Sequence, residues 1–309
     1  MSSPRTAIAD RQNTPENLNL VRAMAAAHAR VQRLEGGRLL ASVLVALTSI
    51  VAALTPSLAG TVAAIGAGWA LLQGWGYSVW IQRELAQAAS TQELLDVTLF
   101  EIEWNPVVAG DPPSPAEVSS LAQRFRGPDD MIVDYYEIHG VQDLPRPFDV
   151  LACQLQNLHW GARVRRRFAG TVLAVLIGWL VAGMLVGVVL QVPLGRLLLI
   201  WFLPALGALL MASEIYRRQR DTAATRARVF ALVRRRIDAH LEQPGPVGDL
   251  LVLTRQVQDV IFATRRTQAR VPDWFFLRFR PRDRIDFQRE VAELARSVAR
   301  ARGRATPSG

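Results

Sequence analysis

"LLASVLVALTSIVAALTPSLAGTVAAIGAGWALLQGWGYSVWIQ", Leu39–Gln82, holds not one Asp, Glu, Lys or Arg. A helix needs about 20 apolar residues to cross roughly 30 Å of hydrocarbon. This run is long enough to cross twice, and "LTPSL" (Leu54–Leu58) breaks it. Proline cannot continue a helix without losing a backbone hydrogen bond, so a helical hairpin over 38–55 and 58–81 is predicted. A second run, Phe168–Ser213, carries only Arg196 and is broken at "LQVPLGR" (Leu190–Arg196), predicting helices over 168–190 and 194–216. The fold class expected is therefore mainly α: an integral membrane protein with four transmembrane helices as two hairpins, plus a mostly helical cytosolic domain built from the central loop and the C-terminal tail. No cleaved leader is expected, because the first apolar run starts near residue 39, behind a polar segment with charges of both signs.

Arginine sets the orientation, since all 36 basic residues are Arg. Arg33, Arg38, Arg83, Arg163 to Arg167, and Arg217, Arg218 and Arg220 lie at span ends on one side. Positive residues near span ends stay in the cytoplasm, so both termini and the central loop are expected there. The segments expected are a cytosolic helix 1–37, a hairpin 38–81, a central cytosolic region 82–167, a second hairpin 168–216, a cytosolic helical region 217–302 and a disordered tail 303–309. Residues 1–10 are also expected to be disordered. The central region has eight Arg against thirteen acids, the tail after 216 twenty-one against ten. Opposite charge suggests that the two dock; anionic lipid is the other partner open to so basic a tail.

Local patterns predict helices in the cytosolic pieces. "SPAEVSSLAQRF" opens with Ser114, Pro115 and Glu117, a capping box, and sets Val118, Leu121 and Phe125 on one face. Val229, Val233, Ile237 and Leu241 recur every four residues, as do Leu253, Val257 and Ile261 behind Leu250. "DRIDFQREVAELARSVARA" predicts a helix burying Ile285, Val291, Leu294 and Val298. Such stripes are core-packing signals. "DVTLFEIEW" (Asp96–Trp104) alternates in part and is expected as a short strand.

Inside the spans, Gly66, Ala70 and Gly74, and Gly170, Ala174, Gly178 and Ala182, repeat at four-residue spacing. Small residues at this interval let helices approach closely, within one chain or between subunits. No Asp, Glu or Arg is expected buried in the spans to mark an ion path, so a pore is expected to need several subunits.

Catalytic motifs are lacking. There is no HExxH, no GxxxxGK[ST] and no GxSxG; His28, His139, His159 and His240 are scattered, and Cys153 is the only cysteine. The expectation is no enzyme, no metal and no cofactor. Two stretches remain rich in Arg and aromatics: "CQLQNLHWGARVRRRFAG" (Cys153–Gly170) and "QDVIFATRRTQARVPDWFFLRFRPRDR" (Gln258–Arg284). Guanidinium groups bind phosphate in pairs of bonds, and Trp or Phe stacks on a base. The candidate ligand residues are Trp160, Arg163, Arg165, Arg166 and Arg167 from the first stretch, and Gln258, Asp259, Arg265, Arg266, Asp273 and Trp274 from the second. A solvated basic surface near lipid is the structural alternative.

Four motifs occur in a familiar order: "RQNTPENLNLVRAMAAAHAR", "LLDVTLFEIEWN", "DYYEIHGVQDLPRPFDVLACQLQNLHWGARVRRRFA" and "RQVQDVIFATRRTQARVPDWFF". Through Arg11, Gln12 and Asn13, Trp104 and Asn105, Gln154, Asn157 and Trp160, and Gln258, Asp259, Arg265 and Arg266, the chain resembles the SMODS-associating four-transmembrane effectors of bacterial cyclic-oligonucleotide anti-phage systems. It departs from them at Leu155, where Arg is expected, and at Gly161, where an acid is expected. The resemblance implies a partner nucleotidyltransferase, a cyclic oligonucleotide bound by the cytosolic domain, homo-oligomers, and a membrane made leaky. Neither DNA nor RNA is expected as a partner. A non-conducting scaffold, binding protein or anionic lipid through its basic tail, is the competing expectation.

Overall fold

The computed structural model describes residues 7–136, 144–268 and 270–305. His139 and residues 137–143 of the third motif lie outside the described residues, as do 1–6 and 306–309 of the expected disordered ends. The described chain is helical, and no strand occurs among the described residues. In order the helices are α1 (Ile8–Arg11), α2 (Pro15–Leu54), α3 (Ala59–Leu72), α4 (Ser78–Phe100), α5 (Pro106–Ala109), α6 (Pro115–Ala122), α7 (Phe148–Val189), α8 (Leu194–Leu197), α9 (Leu203–Glu242), α10 (Val247–Thr267) and α11 (Asp273–Ala305). Residues expected as disordered, 8–10 and 303–305, are helical.

Three helical stretches are long and apolar enough to cross a membrane: Pro15–Leu54, Phe148–Val189 and Leu194–Glu242. The segment expected as a further span, 58–81, is helical but divided: a π-turn at Gln73–Tyr77 separates α3 from α4. A second π-turn, Leu198–Phe202, separates α8 from α9. One extra residue per turn leaves backbone groups off the regular ladder, and such turns concentrate at functional positions.

Breaks follow local chemistry. Thr55-Pro56 ends α2, and Gln191 at φ 51° with Pro193 behind it ends α7. The α6 capping box forms as predicted: the Ser114 hydroxyl accepts from Glu117 N–H (3.3 Å), and the Glu117 carboxylate accepts from Ser114 N–H (2.7 Å). The expected strand at Asp96–Trp104 is instead the end of α4, stopped by Glu101 at φ 49°. Residues 95–97 and 99–100 are all buried there. A helix buried on nearly every side has no polar face to give it a period of 3.6, which leaves partial alternation as the visible pattern.

The chain divides into two compact units. The first comprises Met1–Ala29, Leu85–Val164 and Thr222–Gly309; the second comprises Arg30–Glu84 and Arg165–Asp221. The first unit has an ordinary core, with Phe100, Leu151, Leu158, Val233, Ile237, Val257, Ile261, Val291, Leu294 and Val298 all buried in one cluster. Ile285, expected in that core, is exposed. The second unit is clad outside in large apolar side chains, among them Leu40, Leu44, Leu54, Leu71, Trp75, Val175 and Val188. An apolar surface this continuous belongs against lipid rather than water.

Close packing within the second unit uses some of the expected small residues. A Cβ at Gly66 would run into the backbone of Pro204. Ala182 packs on a cluster formed by Ala52, Ala59, Val62, Leu197, Ile200 and Trp201. Ala70 is half-buried, whereas Gly74, Gly170 and Gly178 face open space and Ala174 is exposed. Close helix contact also falls on Gly183, against Trp201, and Gly187, against Leu197.

Candidate functional site

Helix α4 carries a polar series, Thr91, Gln92, Glu93 and Asp96, all of it buried in the first unit. Burying two carboxylates three residues apart on one helix is costly without partners, and α10 supplies them. Gln258 donates through Nε2 to Glu93 (2.8 Å) and to Asp96 (2.9 Å). Arg265 donates to Asp96 at 2.6 Å, and Arg255 to Glu93 at 2.7 Å. The spacing of Arg255, Gln258 and Arg265 puts them on one face of α10, so a single helix serves both acids.

Helix α7 and the segment before it close the network. Tyr136 donates its hydroxyl to Asp96 (2.7 Å), and Asn157 donates to the Tyr136 oxygen (2.9 Å) while accepting from Arg265 (3.1 Å). Gln154 donates to Gln258 Oε1 (3.2 Å) and to the Thr254 carbonyl (2.8 Å). These bonds fix both amides: Gln258 must aim its NH₂ at the two carboxylates, because its oxygen receives Gln154. Asp259 accepts from Arg255 (2.7 Å) and from Asn105 (3.1 Å). The N-terminal motif joins from the side: the Gln12 side-chain amide accepts from Tyr136 N–H (2.8 Å) and donates to the Tyr136 carbonyl (3.3 Å), and Asn13 Nδ2 donates to Asp134 (2.9 Å).

The electrostatics follow from burial. Burial and the adjacent Asp96 carboxylate push Glu93 upward, against the bonds from Arg255 and Gln258. Burial and the same carboxylate hold the Tyr136 phenol well above its usual range. For Arg265 burial acts against the charge, and Asp96 outweighs it, so the guanidinium is held protonated more firmly than in water. Three acids, Glu93, Asp96 and Asp259, take up the Arg255 and Arg265 guanidinium groups here. Gln258 and Arg265 are committed to these internal bonds, and Asp259 is held between Arg255 and Asn105.

The other candidates lie elsewhere. Trp160 is half-buried and donates through Nε1 to the Asp283 carbonyl (3.2 Å). Arg163 pairs with Asp286 (2.6 Å) and Asp283 (3.5 Å). Both residues thus fasten α7 to α11. Arg165 is buried in the second unit and donates to Gln219 at 2.6 Å. Arg166 is exposed and Arg167 half-buried, also in the second unit. Arg266, Asp273 and Trp274 are exposed on the first. The eleven expected ligand residues therefore do not form one cluster. Among the described residues no group of His, Cys, Asp and Glu has the arrangement of a metal site.

Several network members were not singled out as site residues: Glu93, Asp96, Arg255 and Arg226. The Arg and Gln partners of the two acids are more than 160 positions away, so no local pattern marks them. Arg226 is buried, donates to Thr264 (3.1 Å) and to the Asn157 carbonyl (3.3 Å), and occupies the space that a side chain at 161 would need. Gly161, read as a missing acid, is what admits it.

The motifs that meet in this network cover the length of the chain, and so does a family match. Residues 6–294 match the SMODS-associating 4TM effector domain. The chain belongs to that family. With three apolar helices of spanning length, this family member is a membrane protein. It is 23% identical over 287 residues to a protein of Bacillus cereus (strain VD146) named "Probable CBASS effector molecule", an alignment covering 86% of this chain and 91% of the relative. No solved structure matches.

Proposed function

We propose that this SMODS-associating 4TM effector is a non-enzymatic effector of bacterial anti-phage defence that opens the plasma membrane when a cyclic oligonucleotide binds its cytoplasmic unit. The observation that carries the reading is the division of labour in one chain: a unit clad in apolar side chains, and a separate unit whose motif residues build a buried polar network. Four membrane crossings, cytoplasmic termini and homo-oligomers belong to this reading. The Bacillus relative's printed name supports the defence context. The nucleotide comes from a partner nucleotidyltransferase.

The ligand must bind the open state more tightly than the closed one. Moving a population from 1:99 to 99:1 takes about 5.5 kcal/mol of differential binding. The exposed Arg266 and Trp274 offer the phosphate and base chemistry for it, with the network around Asp96 as the frame that holds α10 in place.

The test is leakage from dye-loaded liposomes carrying the protein, challenged with a panel of cyclic di- and trinucleotides. Leakage with one nucleotide, lost in Arg266→Glu/Trp274→Ala while the variant stays folded, is the expected result. Leakage that survives this variant moves the ligand site. No leakage from folded, correctly oriented protein favours the scaffold.

A further inference from the structure

The second unit carries its polar groups inside. On α2, Arg38, Ser42, Ala46, Ser49 and Ala52 form one face, and all five are buried. The opposite face presents Leu39, Leu40, Val43, Leu44, Leu47, Ile50 and Val51, all exposed. At about 1.5 Å per residue, the buried face from Arg38 to Ala52 runs roughly 21 Å, most of the roughly 30 Å hydrocarbon layer.

Gln73 closes this face. It opens the π-turn after α3 and is 2% exposed. Its oxygen accepts from Arg38 Nε (3.2 Å) and Ser42 Oγ (3.3 Å), and its nitrogen donates to the Gly207 carbonyl on α9 (2.6 Å). Trp69 Nε1 adds a bond to Ser42 Oγ (2.9 Å), and Arg38 pairs with Glu214 at 3.2 Å. Arg38, expected at a span end, is thus a buried member of this column. The expected lack of buried charge in the spans is corrected at the same residue.

Holding an amide, a guanidinium and a hydroxyl together within apolar helices is costly compared with a Leu-filled seam. Close helix packing explains small residues such as Gly66; it does not call for Arg38, Ser42 and Gln73 on facing sides. Between Ser42 and Ala52 this face of α2 is mostly small, with Ala46 and Ser49 buried and Val45 half-buried beside them.

We propose that the Arg38–Ser42–Ala46–Ser49–Ala52 face of α2 lines the path by which water and small ions cross, and that Gln73 is its latch. The proposal rests on the membrane-opening reading above. In this structure the latch is shut; parting α2 from Gln73 and Gly207 exposes amide, hydroxyl and guanidinium groups to water. The lining faces the interior of one chain's own unit, whereas the sequence alone pointed to a pore needing several subunits.

Cys153 is the sole cysteine and is buried in the other unit, so the parent chain is a blank for thiol chemistry. Ser42→Cys and Ser49→Cys are near-isosteric and place a thiol on the proposed lining. Leu44→Cys and Leu47→Cys place one on the lipid side. Each is reconstituted in dye-loaded liposomes, opened with the cyclic di- and trinucleotide panel, and treated with a membrane-impermeant cationic methanethiosulfonate. Leakage through Ser42→Cys and Ser49→Cys is expected to slow at least about fivefold, because a bulky charge in a narrow lining obstructs it. The two Leu variants should change little. Gln73→Ala, which takes the amide away from Arg38 Nε, Ser42 Oγ and the Gly207 carbonyl in the shut form, should raise nucleotide-free leakage about tenfold. Nucleotide-dependent leakage that the reagent leaves unchanged at both serines, or slows equally at the leucines, overturns the lining and leaves the opening itself standing. Absence of leakage from the parent with every nucleotide, and from Gln73→Ala, overturns both.

Discussion

Arg265 and Asp96 lie 169 positions apart in the chain and meet at 2.6 Å, with the guanidinium 5% and the carboxylate 0% exposed. Neither charge can turn to water when the other is removed. Arg265→Met should therefore destabilise the first unit by about 3–5 kcal/mol, the usual cost of stranding one partner of a buried pair. The double variant Arg265→Met/Asp96→Leu should recover much of that loss. Thermal unfolding in detergent, run as a double-mutant cycle, measures both.

Gly161 sits beneath Arg226. A Cβ there would meet the far end of the Arg226 side chain, which must then leave Thr264 and the Asn157 carbonyl. Gly161→Ala is expected to cost about 1–3 kcal/mol, the penalty for buried polar groups left unpaired. The same unfolding measurement on Gly161→Ala/Arg226→Met should show less than the sum of the two single effects.

The small residues of the second unit should separate into two classes. At Gly66 a Cβ would press on the carbonyl oxygens of Leu203 and Pro204, at 2.7 and 2.8 Å, and backbone cannot swing aside. Gly66→Ala should cost about 1–3 kcal/mol through overpacking. Gly170→Ala and Gly178→Ala, with nothing within 4 Å, should stay within about 0.5 kcal/mol of the parent. Gly178→Leu should lower self-association in a detergent crosslinking assay without lowering the melting temperature, if copies meet through that open face.

Acidity should act on the first unit with two signs. Glu93 is raised in the folded chain, so the fold holds its proton more firmly than the unfolded chain does. That contribution is full below the unfolded value of about 4.5 and is lost as pH rises through the raised folded value. Asp286 is lowered, first by its bond from Arg163, so its contribution is full above about 3.8 and is lost as pH falls through the folded value. Melting temperatures of the parent and Glu93→Gln between pH 4.5 and 7 should diverge in favour of the variant as pH rises. Asp286→Asn should track the parent except in acid, with any difference fading in salt.

The apolar helices were legible because a membrane span is written in consecutive residues: an unbroken gap in charge, and a proline where it ends. The core stripes at Val233, Ile237, Val257 and Ile261 were legible for the same local reason. Ile285 was misread because a stripe marks the apolar side of a helix without saying whether another helix covers it. The polar network was not legible from periodicity at all. Hydropathy assigns Glu93, Asp96 and Arg265 to a surface, and only partners distant in the chain bring them inside. The motif likeness did single out Gln258, Asp259 and Arg265, but the bonds around them are internal.

The Met24 sulfur and the Arg270 guanidinium meet at 2.9 Å across 246 positions, and Arg270 also reaches Gln92 at 3.0 Å. The first unit thus gathers its pieces from three places in the chain, with the two segments of the second unit spelled out between them. During synthesis at about 5–20 residues per second, the apolar helices emerge before α10 exists to neutralise Glu93 and Asp96. A nascent chain therefore presents its apolar helices while its first unit is unfinished. Until α10 emerges, neither Arg255 nor Arg265 is there to bond the two buried acids of α4.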